Sequence, residues 1–131
     1  MSDVARISRR IAAPPSEVFA DWVSKSRLES WLWPEPLVQI NPVAGGYFHF
    51  KDTMYGIAAE GMFEEVVPAK RLAFTWRWIE DESTSAVVVS FDDNGDGSTT
   101  VTVAHAGAPH ERQPHEEGWA SCLDRLEARH R

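Results

Sequence analysis

The stretch 114–130 reads Pro114-His115-Glu116-Glu117-Gly118-Trp119-Ala120-Ser121-Cys122-Leu123-Asp124-Arg125-Leu126-Glu127-Ala128-Arg129-His130. Trp119, Cys122, Leu123, Leu126 and His130 recur at helical spacing and mark one face of an amphipathic helix. Glu116 and Glu117 stand in its first turn and Arg125, Arg129 and Arg131 crowd its end, the order that suits the helix dipole. A lone helix of this size is marginal in water and needs a surface to cover. Most of the preceding chain reads as strand, so that surface is a sheet.

Residues 71–79 give the clearest strand. Leu72, Phe74, Trp76 and Trp78 face one way, and Ala73, Thr75, Arg77 and Ile79 the other. The first of these faces is the expected partner of the closing helix. Further strands are read over 4–11, 37–42, 47–50, 57–67, 86–91 and 99–106, with Gly45-Gly46, Pro68-Ala69-Lys70 and the span 92–98 as turns. Gly56 and Gly61 mark bend or bulge points. Pro15 opens a first helix with Val18, Phe19, Trp22 and Val23 on its apolar face. Ser24 or Ser26 caps a second, over 27–33, which Pro34 and Pro36 end. Residues 108–113 read as a loop. Runs of consecutive strands favour antiparallel pairing, so the class is α+β: one curved sheet with helices on one face.

A chain of 131 residues fits a single domain, 1–131, and is long enough to bury roughly two thirds of its unfolded surface. The net charge of -7 argues against nucleic acid, whose phosphates need a basic stripe. Arg6, Arg9 and Arg10 are the only basic cluster, and they read as a solvated strand end. One cysteine excludes an internal disulfide. No apolar run approaches the ~20 residues of a membrane span, and residues 1–10 are too polar for a signal peptide. A cytoplasmic protein is the expectation.

Several motifs in order resemble a known family. Ile11-Ala12-Ala13-Pro14-Pro15-Ser16-Glu17-Val18-Phe19 followed by Trp22 resembles the opening of START-like (SRPBCC, birch-pollen-allergen-like) domains. Trp31-Leu32-Trp33-Pro34, Gly45-Gly46-Tyr47-Phe48, the 68–76 stretch and Gly118-Trp119 before Cys122-Leu123-Asp124-Arg125-Leu126 are similar to the branch named after the activator of heat-shock protein 90 ATPase. The resemblance implies a helix-grip fold. In that fold a seven-stranded antiparallel sheet curls around a long C-terminal helix, two short helices follow strand 1, and an apolar cavity lies between sheet and helix. The eukaryotic co-chaperone of that branch carries an additional N-terminal domain. This chain starts at the first START-like strand, which argues against chaperone activation, since fold alone does not carry function.

Six Trp and six Phe are many for this length. The expected cavity wall takes Trp31 and Trp33 from the second helix, Phe48, Phe50 and Phe63 from the middle strands, and Phe74, Trp76 and Trp78 from 71–79. Val89, Phe91, Val103 and His105 come from the last hairpin, and Trp119 and Cys122 from the closing helix. Two readings stand for this set: a ligand cavity, or a core that the rings simply fill. His105, facing inward by alternation, could bond a ligand, act as a general base with Glu60, or be a satisfied core histidine. Glu60, Glu64 and Arg77 read either as polar groups of a pocket or as a solvated outer face; Glu60 is the carboxylate to check for burial.

Other chemistry finds little support. Asp92-Asp93-Asn94-Gly95-Asp96-Gly97 begins like a calcium loop, but the position of the bidentate Glu is Val103, so a hairpin turn explains it better. His105, His110 and His115 are spaced by five, not by the four of a metal-binding helix, and are not expected to converge. Cys122 lies on the buried helix face without a base partner. No metal or cofactor is expected. The reading is therefore binding of a small apolar molecule, more than catalysis. A polyketide cyclase- or dehydratase-like enzyme and a co-chaperone-like docking module are the alternatives, and an exposed strand edge could support a homodimer.

Overall fold

The computed structural model describes residues 4–131. The first three residues of the polar stretch 1–10 therefore lie outside the described residues. The elements run β1 (Val4–Ile11), α1 (Pro15–Val23), α2 (Lys25–Leu28), β2 (Pro36–Ile40), β3 (Tyr47–Asp52) and β4 (Ile57–Val67). Then come β5 (Arg71–Trp78), β6 (Ser85–Asp93), β7 (Thr99–Ala106), a 3-10 turn (Pro109–Glu111) and α3 (Arg112–Arg129). All seven strands join one antiparallel sheet in the order β1-β7-β6-β5-β4-β3-β2. β1 and β2 thus occupy opposite edges, and α1 and α2 carry the chain between them. This is the helix-grip arrangement, with α3 held against the curved sheet.

Pro15 takes the first position of α1, where its missing N–H is no loss. α2 is shorter than its apolar pattern suggests and ends at Leu28, well before the prolines. Arg27 O and Leu28 O close tight turns through Ser30, Trp31 and Leu32 instead. Ser24 precedes α2 but its hydroxyl makes no cap bond. The carbonyls beyond α2 are satisfied from α3: Arg125 donates to Trp31 O at 2.9 Å and Leu32 O at 2.8 Å, and Cys122 donates to Leu32 O at 3.1 Å. Residues 109–111, read as loop, form a 3-10 turn that leads directly into α3.

The bulge in β4 falls at Glu64 and not at Gly61: Phe63 opposes Phe74, while Glu65 opposes Ala73. Gly61 serves close approach. A Cβ there would lie 1.9 Å from Thr75 O and 2.7 Å from the Phe48 ring. Gly118 does the opposite of what its place in a buried helix suggests. A Cβ there meets nothing within 4 Å, so it does not draw α3 onto the sheet.

The core follows the alternation of the strands. Leu72, Phe74 and Trp76 of β5 are buried, as are Val87, Val89 and Phe91 of β6 and Val101, Val103 and His105 of β7. The backbone of α3 lies over β1 and β7. Its Trp119 reaches across toward β5, with ring centroids 5.5 Å from Trp76. A buried carboxylate pins the far end of α3. Asp21 of α1 is fully buried and accepts from Arg129 at 3.1 Å and from His130, with Arg27 3.6 Å away.

Candidate functional site

An apolar space walled by aromatic rings lies at the N-terminal end of α3. β5 contributes Trp76 and Trp78, the turn after α2 contributes Leu32 and Trp33, and β7 contributes His105. The first three turns of α3 add His115, Gly118, Trp119 and Cys122. The cavity measures about 60 Å³ and opens to the surface. Trp33 and Trp78 stand nearly parallel with centroids 6.1 Å apart, and Trp76 is roughly perpendicular to both, at 81° and 84°.

Six of the expected wall residues thus meet here: Trp33, Trp76, Trp78, His105, Trp119 and Cys122. Phe48, Phe50, Phe63 and Phe74 instead surround a separate void of about 10 Å³. That is at most one water's worth, and its apolar wall gives a water nothing to bond. Trp31, Val89, Phe91 and Val103 are buried and line neither space. Trp31 packs edge-on against Trp22 and donates to Asp21 O at 2.9 Å; Phe91 packs against Phe19 and Trp22. These four side chains are packed into the core.

His105 is engaged at both ring nitrogens. Trp119 donates its indole N–H to Nδ1 at 3.0 Å. Nδ1 is therefore an acceptor, and the ring proton sits on Nε2, facing the Ser85 hydroxyl. Ser85 passes its own proton to Trp76 O at 3.2 Å. Burial, with His115 beside it, holds the His105 pKa down at about 3. The ring is a neutral brace between α3, β7 and β6, not a free base.

Glu60 does not meet it. The side chain of Glu60 lies on the other face of β4, opposite Arg77, and bonds Arg77 and the Tyr47 hydroxyl. Tyr47 above all, then Arg77, lowers its pKa, so it is an ionised carboxylate of the outer face. The pairing of His105 with Glu60 is not formed.

Two histidines do converge. The His105 and His115 rings stack with centroids 3.7 Å apart and planes 6° apart, while His110 sits in the 3-10 turn. Sequence spacing missed this pair because the Pro109–Glu111 turn, not helix periodicity, brings His115 back over β7. Asp21 and Ser85 were also missed. An acid inside the run Val18-Phe19-Ala20-Asp21-Trp22, with Arg129 and His130 at the far end of the chain, was the available signal for the first. Asp92 and Asp93 of the expected 92–98 turn belong to β6, and residues 94–98 make the turn to β7, with Ser98 donating to Asp96 and Gly95 and Gly97 at positive φ. Cys122 is buried, and that burial pushes its thiol up to about 11. Trp31 and Trp33 are buried as well, so they present no apolar patch for docking. Outside, Tyr47 and Met62 form an exposed cross-strand pair.

A curved seven-stranded antiparallel sheet closed by a long C-terminal helix, with an aromatic cavity under that helix, defines a START-like, helix-grip protein. The family model described as Activator of Hsp90 ATPase homolog 1-like protein matches residues 12–131, and the chain belongs to that family. No curated protein matches the sequence significantly. Among solved structures, protein CV1439 from Chromobacterium violaceum is similar at 23% identity and TM-score 0.79, with 95% of each chain covered. CalU16 from Micromonospora echinospora is similar at 24% identity and TM-score 0.80, covering 95% of this chain and 71% of that one. PFC0360w, an HSP90 activator from Plasmodium falciparum, is similar at 19% identity and TM-score 0.80, covering 95% of this chain and 94% of that one. At these identities the likeness is one of fold. Among the described residues, no helix is long and apolar enough to cross a membrane.

Proposed function

We propose that the protein binds a small apolar or aromatic molecule in the cavity between β5 and the first turns of α3. One observation carries this reading: four tryptophans, Trp33, Trp76, Trp78 and Trp119, wall an open space of about 60 Å³, where the void among the phenylalanines holds only about 10 Å³. Flat rings at right angles suit a flat guest. The neutral histidine at its end supports binding rather than proton transfer. Affinity comes from apolar burial at about 25 cal/mol per Å², before ordering costs. A cavity of about 60 Å³ encloses only one edge of a single ring, the rest lying in the mouth. A Kd on the order of 10⁻⁴ M is expected for so small a ligand.

The test uses the six indole N–H resonances as reporters. Titration with toluene should shift those of Trp33, Trp76, Trp78 and Trp119 and leave Trp22 and Trp31 near their starting positions. Saturating toluene that moves none of the four overturns the reading.

A further inference from the structure

The cavity's polar groups point to a narrower class of guest. Among the described residues, three buried side-chain nitrogens have no hydrogen-bond partner: Trp22 Nε1, Trp76 Nε1 and His115 Nδ1. Two of the three belong to residues of this one cavity wall. Trp76 is 3% exposed and His115 8%. Buried polar groups are ordinarily paired, so two orphans on residues of one cavity wall, both shielded from water in the empty cavity, mark a place where a guest pressed against that wall would complete the bonding.

The two orphans are of opposite kind. Trp76 Nε1 can only donate. His115 is neutral at pH 7, because burial lowers its pKa despite the opposing pull of Glu111. Its single ring proton has a natural position. Nε2 lies 3.9 Å from Glu111 Oε2, a carboxylate that only accepts, while Glu111 Oε1 is occupied by Ala108 N. The tautomer with the proton on Nε2, toward that carboxylate, is the one its charge favours, and it leaves Nδ1 as a bare acceptor. The stack on His105 fixes the plane of the ring, and His105 cannot answer either orphan, since Trp119 and Ser85 occupy its own nitrogens.

A donor and an acceptor on one wall match a hydroxyl, which takes one hydrogen bond and gives one. We propose that the cavity selects an aromatic ring bearing a hydroxyl group: Trp76 donates to the hydroxyl oxygen, His115 Nδ1 accepts its proton, and the ring lies against Trp33, Trp78 and Trp119. This rests on the binding reading above and adds the chemistry that orients the guest. An aliphatic alcohol offers the same hydroxyl but no flat face for the tryptophan walls.

Phenol and toluene, nearly equal in size and differing at one group, separate the possibilities. A wall without partners favours toluene by about tenfold, because the hydroxyl gives up water and receives nothing back. The paired wall reverses that order, and phenol binds more tightly. Trp76→Phe and His115→Phe each keep a ring in place and remove one partner; each should shift the preference back toward toluene by about tenfold. Should either variant fail to fold, the wild-type protein still decides. The Trp76 indole proton moves downfield with phenol and not with toluene. Toluene binding as tightly as phenol, or tighter, in the wild type overturns the hydroxyl selection and leaves the aromatic pocket standing. Binding of neither compound overturns the pocket and the selection together.

Discussion

Trp119 on α3 gives its indole N–H to Nδ1 of His105 on β7 at 3.0 Å, and that bond sets the tautomer of the whole chain of contacts behind it. Because Nδ1 accepts, Nε2 must carry the proton, Ser85 must receive it, and Ser85 can then satisfy Trp76 O. The closing helix is thus keyed to the sheet through a neutral imidazole. Protonating that ring places a second donor opposite the Trp119 N–H and breaks the key.

Stability should therefore fall in mild acid. The His105 pKa lies near 3 when folded against an ordinary value of 6.5, so the unfolded chain binds the proton more readily. The stabilisation from keeping His105 neutral is complete above about pH 6.5 and is lost as pH falls toward 3. His115, also lowered by burial, adds in the same direction. The loss between pH 6.5 and 5 should be on the order of 2 kcal/mol. His105→Leu should cost about 2–3 kcal/mol at pH 7, since it strands the buried Trp119 N–H and removes the donor to the Ser85 hydroxyl. The same variant should flatten the acid limb. Urea unfolding at a series of pH values reads both, and an unchanged acid limb in the variant would refute the assignment.

Most of the sheet was legible because a strand's period is short and the aromatic residues advertise it. β4 and β7 take their expected bounds, and β5 presents Phe74 and Trp76 inward as alternation requires. Recognition of the pocket was partial for a physical reason. Alternation says that Phe91, Val103 and Trp76 all face inward, but not which of them meets another side chain and which meets open space. That depends on where α3 stands. Its backbone lies over β1 and β7, so the rings beneath its later turns are packed and those near its first turns are not. His115 was illegible for a related reason, since its place is set by a 3-10 turn that no apolar period announces.

Asp21 should prove the strongest single anchor of the helix end. Its carboxylate is fully buried and faces Arg129, His130 and Arg27. Asp21→Ala should cost about 2–4 kcal/mol, because it leaves the Arg129 and Arg27 guanidinium groups and the His130 ring without their shared acceptor. The two arginines keep about a third of their side chains exposed, so solvent relieves part of the loss. A double-mutant cycle of Asp21→Ala with Arg129→Ala should show coupling of at least about 1 kcal/mol. Additive effects would mean that the contact is geometry without energy.

Gly61→Ala should separate β4 from β5 locally. The new methyl would lie 1.9 Å from the Thr75 carbonyl oxygen, and backbone of a central strand cannot step aside as a side-chain tip can. The expected cost is about 2–4 kcal/mol, with loss of amide protection along both strands. Gly56→Ala is a useful comparison. It has open space around its Cβ but a φ of +66°, so only backbone strain is charged, about 1 kcal/mol. If the two variants were equally stable, steric approach at Gly61 would not be its role.

Gly118 offers the sharpest separation of stability from binding. It stands within α3, at ordinary helical φ, on the cavity wall, and a Cβ there touches nothing. Gly118→Ala should raise stability by about 0.5–1 kcal/mol, the usual gain when a helix interior loses a glycine. The added methyl projects into space that a guest needs, so the same variant should weaken toluene or phenol binding several-fold. Gly118→Leu should abolish it, because a larger side chain in about 60 Å³ leaves no room for a second occupant. Neither variant removes a partner of the Trp119–His105 bond, so the pH dependence of stability should remain that of the wild type. Thermal unfolding and the indole titration, run on the same samples, test the claim. A Gly118→Leu protein that binds these rings undiminished would place the guest somewhere other than under α3.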